Sequence, residues 1–204
     1  MPTRSYVSPV RKAAAARKRD RVVEAAVRFL REEESISTFS LDAIARTAGV
    51  TRLTVYNQFG SRRGLLEAVF DDLARRGRLD RIAAAMSMPN PRAGLDELIT
   101  IFCDFWSAEP AVARLVEATA IDAEFALALA ERNERRRKAL RRLVGRIASR
   151  AAGAAAQRDA VDLIFALTSF QMFRLLASGR SRKAVCALVR RAASAAIDSI
   201  ARGR

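Results

Sequence analysis

Hydrophobic side chains recur every three or four positions in successive segments of this chain. The spacing is clearest at Val22, Val23, Ala26, Val27 and Leu30, where the apolar residues fall on one face of a helix. Alanine is abundant, and only five prolines and nine glycines interrupt the 204 residues, so helix is the expected conformation throughout. The pattern predicts an all-α fold.

A basic block precedes this apolar stripe. The segment Arg11–Arg21, RKAAAARKRDR, sets its arginines and lysines against a single acid, Asp20. Cations at the N-terminal end of a helix oppose the helix dipole, so they indicate a function other than stability, and phosphate binding is the obvious candidate. Arg17 is therefore a candidate phosphate contact. Residues 1–10, which contain two prolines, are predicted to be a disordered lead.

Two short helices joined by a glycine turn follow the basic helix. Ser40 can cap the first of them, Gly49 can end it in a left-handed conformation, and Thr51 can cap the second. This arrangement, with polar residues at the start of the second helix, is the helix-turn-helix pattern of DNA-binding proteins. We therefore predict a three-helix DNA-binding domain over residues 11–65 and a larger helical domain over residues 66–204.

Composition narrows the function. The net charge of +15 and the pI of about 11.4 indicate a polyanionic partner or, alternatively, only the solvated surface of an arginine-rich proteome. The chain has no histidine, which excludes Ser-His-Asp and Cys-His catalysis and the common zinc sites, and it has no Walker or GxGxxG motif. We predict that the protein is not an enzyme and uses no cofactor and no metal.

The remaining chemistry is typical of a cytoplasmic protein. Cys103 and Cys186 are far apart, each among apolar residues, and are expected to be reduced core thiols. The N-terminus lacks the apolar stretch of a secretory signal. The most apolar segment, Val161–Ala177, is too short to span a membrane and carries Asp162 and Arg174. No membrane association is expected.

One segment resembles a known family. FSLDAIARTAGVTRLTVYNQFGSRRGLLEAVF, Phe39 to Phe70, is similar to the DNA-binding signature of the TetR family of bacterial repressors. The matching features are LDAIA, AGV, the tyrosine three residues before Phe59, the FGS turn and the apolar LLEAV, and the resemblance covers roughly residues 17–70. The chain departs from the family pattern at Asn57 and Gln58, where a histidine or aromatic residue is usual, and at Arg62, where lysine is usual.

The recognition helix would offer its first side chains to base edges in the major groove. Arg52 can bind guanine or clamp a phosphate, and Leu53 can contact a thymine methyl. The amides that follow Tyr56 can reach adenine or the backbone, and the resemblance implies a phosphate contact for Tyr56 with its ring packed beneath the helix. Arg62 is expected on phosphate. The candidate DNA contacts are Arg17, Thr38, Ser40, Thr51, Arg52, Leu53, Thr54, Tyr56, Asn57, Gln58 and Arg62.

The second domain is predicted to dimerise. The segment Asp159–Ser178 reads as one helix that is apolar nearly all round, so one of its faces should meet another subunit. The last helix offers a stripe of small residues, and the two helices together would form a four-helix interface about a two-fold axis, as the resemblance also implies. The candidate interface residues are Leu163, Leu167, Phe170, Leu188, Ala192 and Ala196.

A ligand cavity is the second expectation for this domain. Clustered aromatic residues with a few polar neighbours can line such a cavity, although the same residues can equally form a plain core. The candidates are Phe102, Phe105, Trp106, Phe125, Phe165, Ser169, Met172 and Phe173. Nothing in the sequence identifies the ligand.

The sequence therefore predicts a homodimeric, sequence-specific DNA-binding regulator. The resemblance implies a repressor that a small-molecule effector releases from a palindromic double-stranded operator. The alternative is a ligand-independent architectural DNA-binding protein of weak specificity, favoured by the high net charge and by basic patches outside the helix-turn-helix.

Overall fold

The computed structural model describes residues 9–33, 35–148 and 153–201, and the side chains from residue 13 to residue 200 within those ranges. The described residues form eleven α-helices and two short 3-10 helices, with no strand among them, which confirms the predicted all-α fold. Residues 1–8 of the predicted disordered lead, and the side chains of Arg11 and Lys12, lie outside the described part of the chain; residues 9 and 10 already belong to the first helix.

The helices run in the following order. They are α1 (Pro9–Glu32), α2 (Leu41–Ala48), α3 (Arg52–Phe59), α4 (Arg62–Arg76), α5 (Arg81–Ser87), α6 (Pro91–Ala108), α7 (Ala111–Glu117), α8 (Ala123–Ile147), α9 (Ala154–Leu167), α10 (Phe170–Ala177) and α11 (Arg182–Ala201). The 3-10 helices span Ile36–Thr38 and Ala118–Ala120. The chain divides into two compact units.

The N-terminal unit contains the residues up to Asp72 together with Pro110–Ala126. Helix α1 packs on α2, α3 and α7, so the apolar stripe of α1 becomes the centre of the unit. Phe39 is buried beside Phe29, with their rings edge to face and the centroids 5.7 Å apart. The predicted domain of residues 11–65 lacks the Pro110–Ala126 segment, because contacts between α1 and α7 join residues too distant in sequence for a local pattern to indicate.

The C-terminal unit contains Leu73–Glu109 and the residues from Leu127 onward. Its core lies between α6, α9 and α11, where the apolar positions of each helix face the others. Its buried members include Leu98, Ile99, Ile101, Leu140, Leu143, Val161, Ile164, Val185, Val189 and Ile197. Arg81 joins α5 to α6 by bonds to Glu97 and Asp104, and the bond to Glu97 raises the pKa of the guanidinium.

The segment predicted as one helix over Asp159–Ser178 is broken. Helix α9 ends at Leu167 and α10 begins at Phe170, because the Ser169 hydroxyl accepts the Met172 N–H at 3.2 Å and so caps a new helix. Nor is the segment buried on every side, since Leu163 and Leu175 are exposed. In the described part of the chain no single helix is long and apolar enough to cross a membrane; α9 and α10 reach that composition only as a pair bent by 59°.

Candidate functional site

The turn between α2 and α3 is built from caps. The Ser40 hydroxyl accepts the Ala43 N–H at 3.1 Å, and the Thr51 hydroxyl accepts the Thr54 N–H at 3.2 Å, so each helix begins on the predicted residue. Gly49 ends α2 with φ of 64°, a left-handed conformation that a side chain would strain. The predicted caps and the glycine turn are confirmed, and this turn fixes the angle at which α3 leaves α2.

One face of α3 points outward. Arg52, Leu53, Tyr56 and Asn57 are exposed on it, while Val55 on the opposite face is fully buried. The side chains of Leu53 and Tyr56 remain 66% and 56% exposed, which is unusual for large apolar groups without a partner. The Tyr56 ring therefore points outward. The expectation that this ring packs beneath the helix was wrong. The outward face combines a guanidinium, an amide, a phenol and an isobutyl group.

The polar groups at the start of α3 are only weakly engaged within the chain. Arg52 lies 3.4 Å from Asp42, but both side chains are largely exposed, so the pair contributes at most about 1 kcal/mol and Arg52 can exchange it for another anion. The Thr51 and Thr54 hydroxyls lie 2.9 Å apart and bond to each other. Thr38 is exposed in the preceding 3-10 helix, with its hydroxyl on the Ser35 carbonyl.

Gln58 lies on a different side of α3. Its side chain is half-buried, and its Oε1 atom is buried without a hydrogen bond in the described structure. Its backbone carbonyl accepts a bond of 3.2 Å from Arg19, whose guanidinium lies 4.5 Å from the centroid of the Phe59 ring. Arg19 belongs to the basic block but was not among the predicted DNA contacts. Its contacts bring the basic block against the end of α3. Arg17 is exposed nearby on α1.

The turn from α3 to α4 requires a glycine that the sequence analysis overlooked. The Ser61 hydroxyl accepts the Gly64 N–H at 3.1 Å and caps α4. A Cβ atom on Gly64 would collide with the carbonyl oxygen of Phe59. Because the two backbones touch at this point, only glycine permits the close turn that sets α4 against the end of α3.

Arg62 is engaged inside the N-terminal unit. Its Nε donates to Asp122 Oδ2 at 2.8 Å, and its Nη2 donates to the Ile121 carbonyl at 2.7 Å. Asp122 is only 8% exposed, and its other oxygen accepts the Phe125 N–H at the start of α8. The predicted phosphate contact of Arg62 would require these bonds to break. The sequence carried no signal of this pair, whose members are 60 positions apart.

An open groove of about 520 Å³ adjoins this ion pair. It lies where the first residues of α2, α3, α4 and α8 meet, and charged side chains of both signs line it. Among them are Arg52, Arg62, Arg63, Asp42, Asp122 and Glu124. Such walls offer binding partners to charged or polar atoms. The described residues contain no group of three or more histidine, cysteine or acidic side chains that could hold a metal ion.

The predicted ligand-pocket residues are divided between the two units. Phe125 is fully buried in the N-terminal unit, so it does not belong with the others. In the C-terminal unit the Trp106 ring contacts those of Phe102 and Phe105, with centroids 6.0 and 4.7 Å away. Phe165 lies against Arg136 and Arg137, which were predicted only as part of the basic patches outside the helix-turn-helix. Phe173 is buried in the core, and Ser169 and Met172 form the first turn of α10.

The predicted dimer residues differ in exposure. Phe170 and Ala196 are buried within the protomer, Leu167, Leu188 and Ala192 are half-buried, and Leu163 is 49% exposed. On α11 the core face carries Val185, Val189, Ala193 and Ile197, so the 188–192 stripe lies off the core. Leu163, Leu188 and Ala192 therefore keep apolar surface that the protomer itself does not cover.

Comparison with known proteins finds relatives of the DNA-binding segment. The family model described as "Bacterial regulatory proteins, tetR family" matches residues 22–69, which contain α2, α3 and the exposed face of α3. This segment of the chain is similar to that family. Among its relatives is the HTH-type transcriptional regulator EthR of Mycolicibacterium smegmatis, 31% identical over 97 residues, which make up 47% of this chain and 45% of EthR. The chain thus spans less than half the length of the curated relatives it matches.

Solved TetR-family structures share the fold over nearly the whole chain. SCO4454 of Streptomyces coelicolor superposes with a TM-score of 0.69 at 19% identity, covering 96% of this chain and 97% of that one. A cysteine mutant of the regulator CifR, complexed with a 26-bp double-strand operator DNA, superposes with a TM-score of 0.61 at 16% identity, covering 96% and 99%. At these identities the likeness establishes only the fold of this chain.

Proposed function

We propose that this protein is a sequence-specific DNA-binding transcriptional regulator, and that it acts as a repressor. The observation that carries the proposal is the outward face of α3, which presents Arg52, Leu53, Tyr56 and Asn57 directly after the left-handed turn at Gly49. A helix held in this way can lie in the major groove with its first residues at base edges. The similarity of residues 22–69 to the TetR family model and the operator complex of CifR support the proposal.

The contacts divide by chemistry into base readout and phosphate binding. Arg52 can exchange the exposed Asp42 for guanine O6 and N7, Asn57 can bind adenine, and Leu53 can contact a thymine methyl. Phosphate contacts fall to groups that carry a positive charge or a hydroxyl: Arg17, Thr38, Ser40, Thr51, Thr54 and Tyr56. Arg62, which is bonded to Asp122, and Gln58, whose side chain is half-buried, would have to move before they reached DNA.

A homodimer is the form of the protein that we propose to bind the operator. Leu163 and Leu175 are exposed on α9 and α10, and a partner subunit covering them would bury apolar surface that now faces water. A two-fold dimer presents two copies of α3 to half-sites about 34–36 Å apart, one helical turn of DNA. Such a regulator acts in the bacterial cytoplasm, where its operator lies.

A small-molecule effector is proposed to control this binding. The aromatic cluster around Trp106 in the C-terminal unit, in contact with the half-buried Arg136, is the part of the chain with the chemistry of an effector site. An effector that prefers one conformation of the protein would shift the population away from the state whose two α3 helices fit the operator. Release of DNA by such a ligand is the expected regulation.

Selection from a randomised duplex library at near-physiological salt tests the proposal. We expect a two-fold-symmetric motif among the bound sequences. Arg52→Ala should relax specificity at one position, whereas Arg17→Ala should weaken binding to all sequences alike and flatten the salt dependence. If no motif is recovered and binding disappears at modest salt, the protein is instead the weakly specific architectural binder that its charge of +15 would also permit.

A further inference from the structure

A guanidinium lies among the aromatic rings of the C-terminal unit. The Arg136 Cζ atom is 4.3 Å from the centroid of the Phe165 ring and 5.2 Å from that of Phe102. Its Nη1 donates to the Thr168 carbonyl at 2.6 Å, and the Trp106 Nε1 donates to the same carbonyl at 3.0 Å. Helices α6, α8 and α9 thus converge on one cation.

Aromatic rings and a carbonyl face the charge of Arg136, but no anion does. In the described structure no carboxylate lies within ion-pair distance of it, and its buried Nε has no hydrogen-bond acceptor. The adjacent Arg137 provides a contrast, since it bonds to both Glu134 and Asp162. Burial, reinforced by the charge of Arg137, lowers the pKa of Arg136 to about 10, which leaves the group protonated at neutral pH.

A structural role does not require this charge. The Thr168 carbonyl lies at the break between α9 and α10, where the Met172 N–H bonds to the Ser169 hydroxyl. Trp106 and Arg136 both donate to this carbonyl, whose two lone pairs can accept both bonds, and a neutral donor would serve in place of the guanidinium. A buried cation without a counterion is costly, and a plain core would place an apolar side chain there.

We infer that Arg136 and the aromatic cluster of Phe102, Trp106 and Phe165 bind a small organic anion, namely a carboxylate attached to an apolar body. The planar guanidinium fork matches the two oxygens of a carboxylate, and the rings supply apolar walls for the rest of the molecule. A cationic ligand would be repelled by two arginines, and a neutral one would leave the buried charge unpaired. The inference rests on the proposed function in one respect: the bound carboxylate acts as the effector only if the protein is an effector-controlled regulator.

Trp106 provides the readout, because it is the one tryptophan of the chain and lies in the cluster. We would titrate the full-length protein, without DNA, with n-alkyl and arylalkyl carboxylates and with the primary amide of each, and follow Trp106 fluorescence. Carboxylates should give a saturable change and bind at least about tenfold more tightly than their amides, since a charge-assisted fork is worth more than 1.4 kcal/mol. Arg136→Met should remove this preference, and the matched control Arg141→Met, at an exposed arginine of the same helix that does not touch the cluster, should retain it.

Thermal unfolding of the same variants separates binding from folding. Without ligand, Arg136→Met should melt at the wild-type temperature or above it, because an uncompensated buried charge has been replaced by an apolar chain of similar length. Three outcomes would overturn the inference: no carboxylate of the panel perturbs Trp106, acids and amides bind equally, or Arg136→Met binds acids as wild type does. None of these bears on the library selection, so a failure here is distinct from a failure of the DNA-binding proposal.

Discussion

The ion pair between Arg62 and Asp122 gives a prediction whose size follows from the structure. We would make Arg62→Met, Asp122→Asn and the double variant. Asparagine retains an oxygen that can accept the Phe125 N–H at the start of α8, so Asp122→Asn removes the charge while keeping the cap. The cycle therefore isolates the interaction between the guanidinium and the carboxylate.

The magnitude follows from two bonds and their burial. A hydrogen bond to a charged group contributes about 1.5–3 kcal/mol, but the Arg62 side chain is 39% exposed and solvent weakens the pair, so we expect a coupling of about 1–2 kcal/mol. Arg62→Met also loses the bond to the Ile121 carbonyl, which adds about 1 kcal/mol. That variant should therefore lose about 2–3 kcal/mol of unfolding free energy in total.

Urea denaturation followed by circular dichroism measures the cycle. If the losses of unfolding free energy in the two single variants sum to the loss in the double variant within about 0.5 kcal/mol, the coupling is refuted.

The same variants test the role of Arg62 in DNA binding. If Arg62 acts by holding α4, Asp122→Asn should weaken operator binding as Arg62→Met does, with an unchanged salt slope. If Arg62 contacts phosphate, only Arg62→Met should flatten the salt dependence, by about one unit of slope.

Three further predictions concern packing, assembly and thiol chemistry. Gly64→Ala should cost about 2 kcal/mol in thermal or urea unfolding because its Cβ meets backbone, whereas Gly145→Ala, with open space around it, should gain about 0.5–1 kcal/mol; equal effects would contradict the close turn. In sedimentation, Leu163→Glu should yield monomers, while Leu127→Glu, at a residue that is also exposed but outside the predicted interface, should leave the dimer intact. Burial, aided by Cys186, raises the pKa of Cys103 to about 12. Iodoacetamide at pH 8 should therefore label Cys103 only after unfolding, and stability should fall as pH rises from 9 towards 12, because the unfolded thiol ionises first.

Local chemistry is what the sequence by itself determined. The caps at Ser40 and Thr51 and the left-handed turn at Gly49 each depend on bonds that span no more than four residues, so residue type and spacing suffice to predict them. The outward face of α3 follows from the same periodicity, and Arg52, Leu53 and Asn57 lie on it as expected. The exposure of these three side chains could accordingly be predicted, whereas the orientation of Tyr56, the half-buried position of Gln58 and the ion pair of Arg62 could not.

Tertiary structure decided the rest. Arg62 meets Asp122 across 60 positions, and Arg136 meets Thr168 across 32, distances over which no periodic pattern carries information. Arg62 was predicted to contact phosphate, and Arg136 was not distinguished from the basic run that contains it. Charge along a chain does not show which side chain will be buried. Burial depends on how the helices pack, and that packing placed one arginine on a carboxylate and left another among aromatic rings without a counterion.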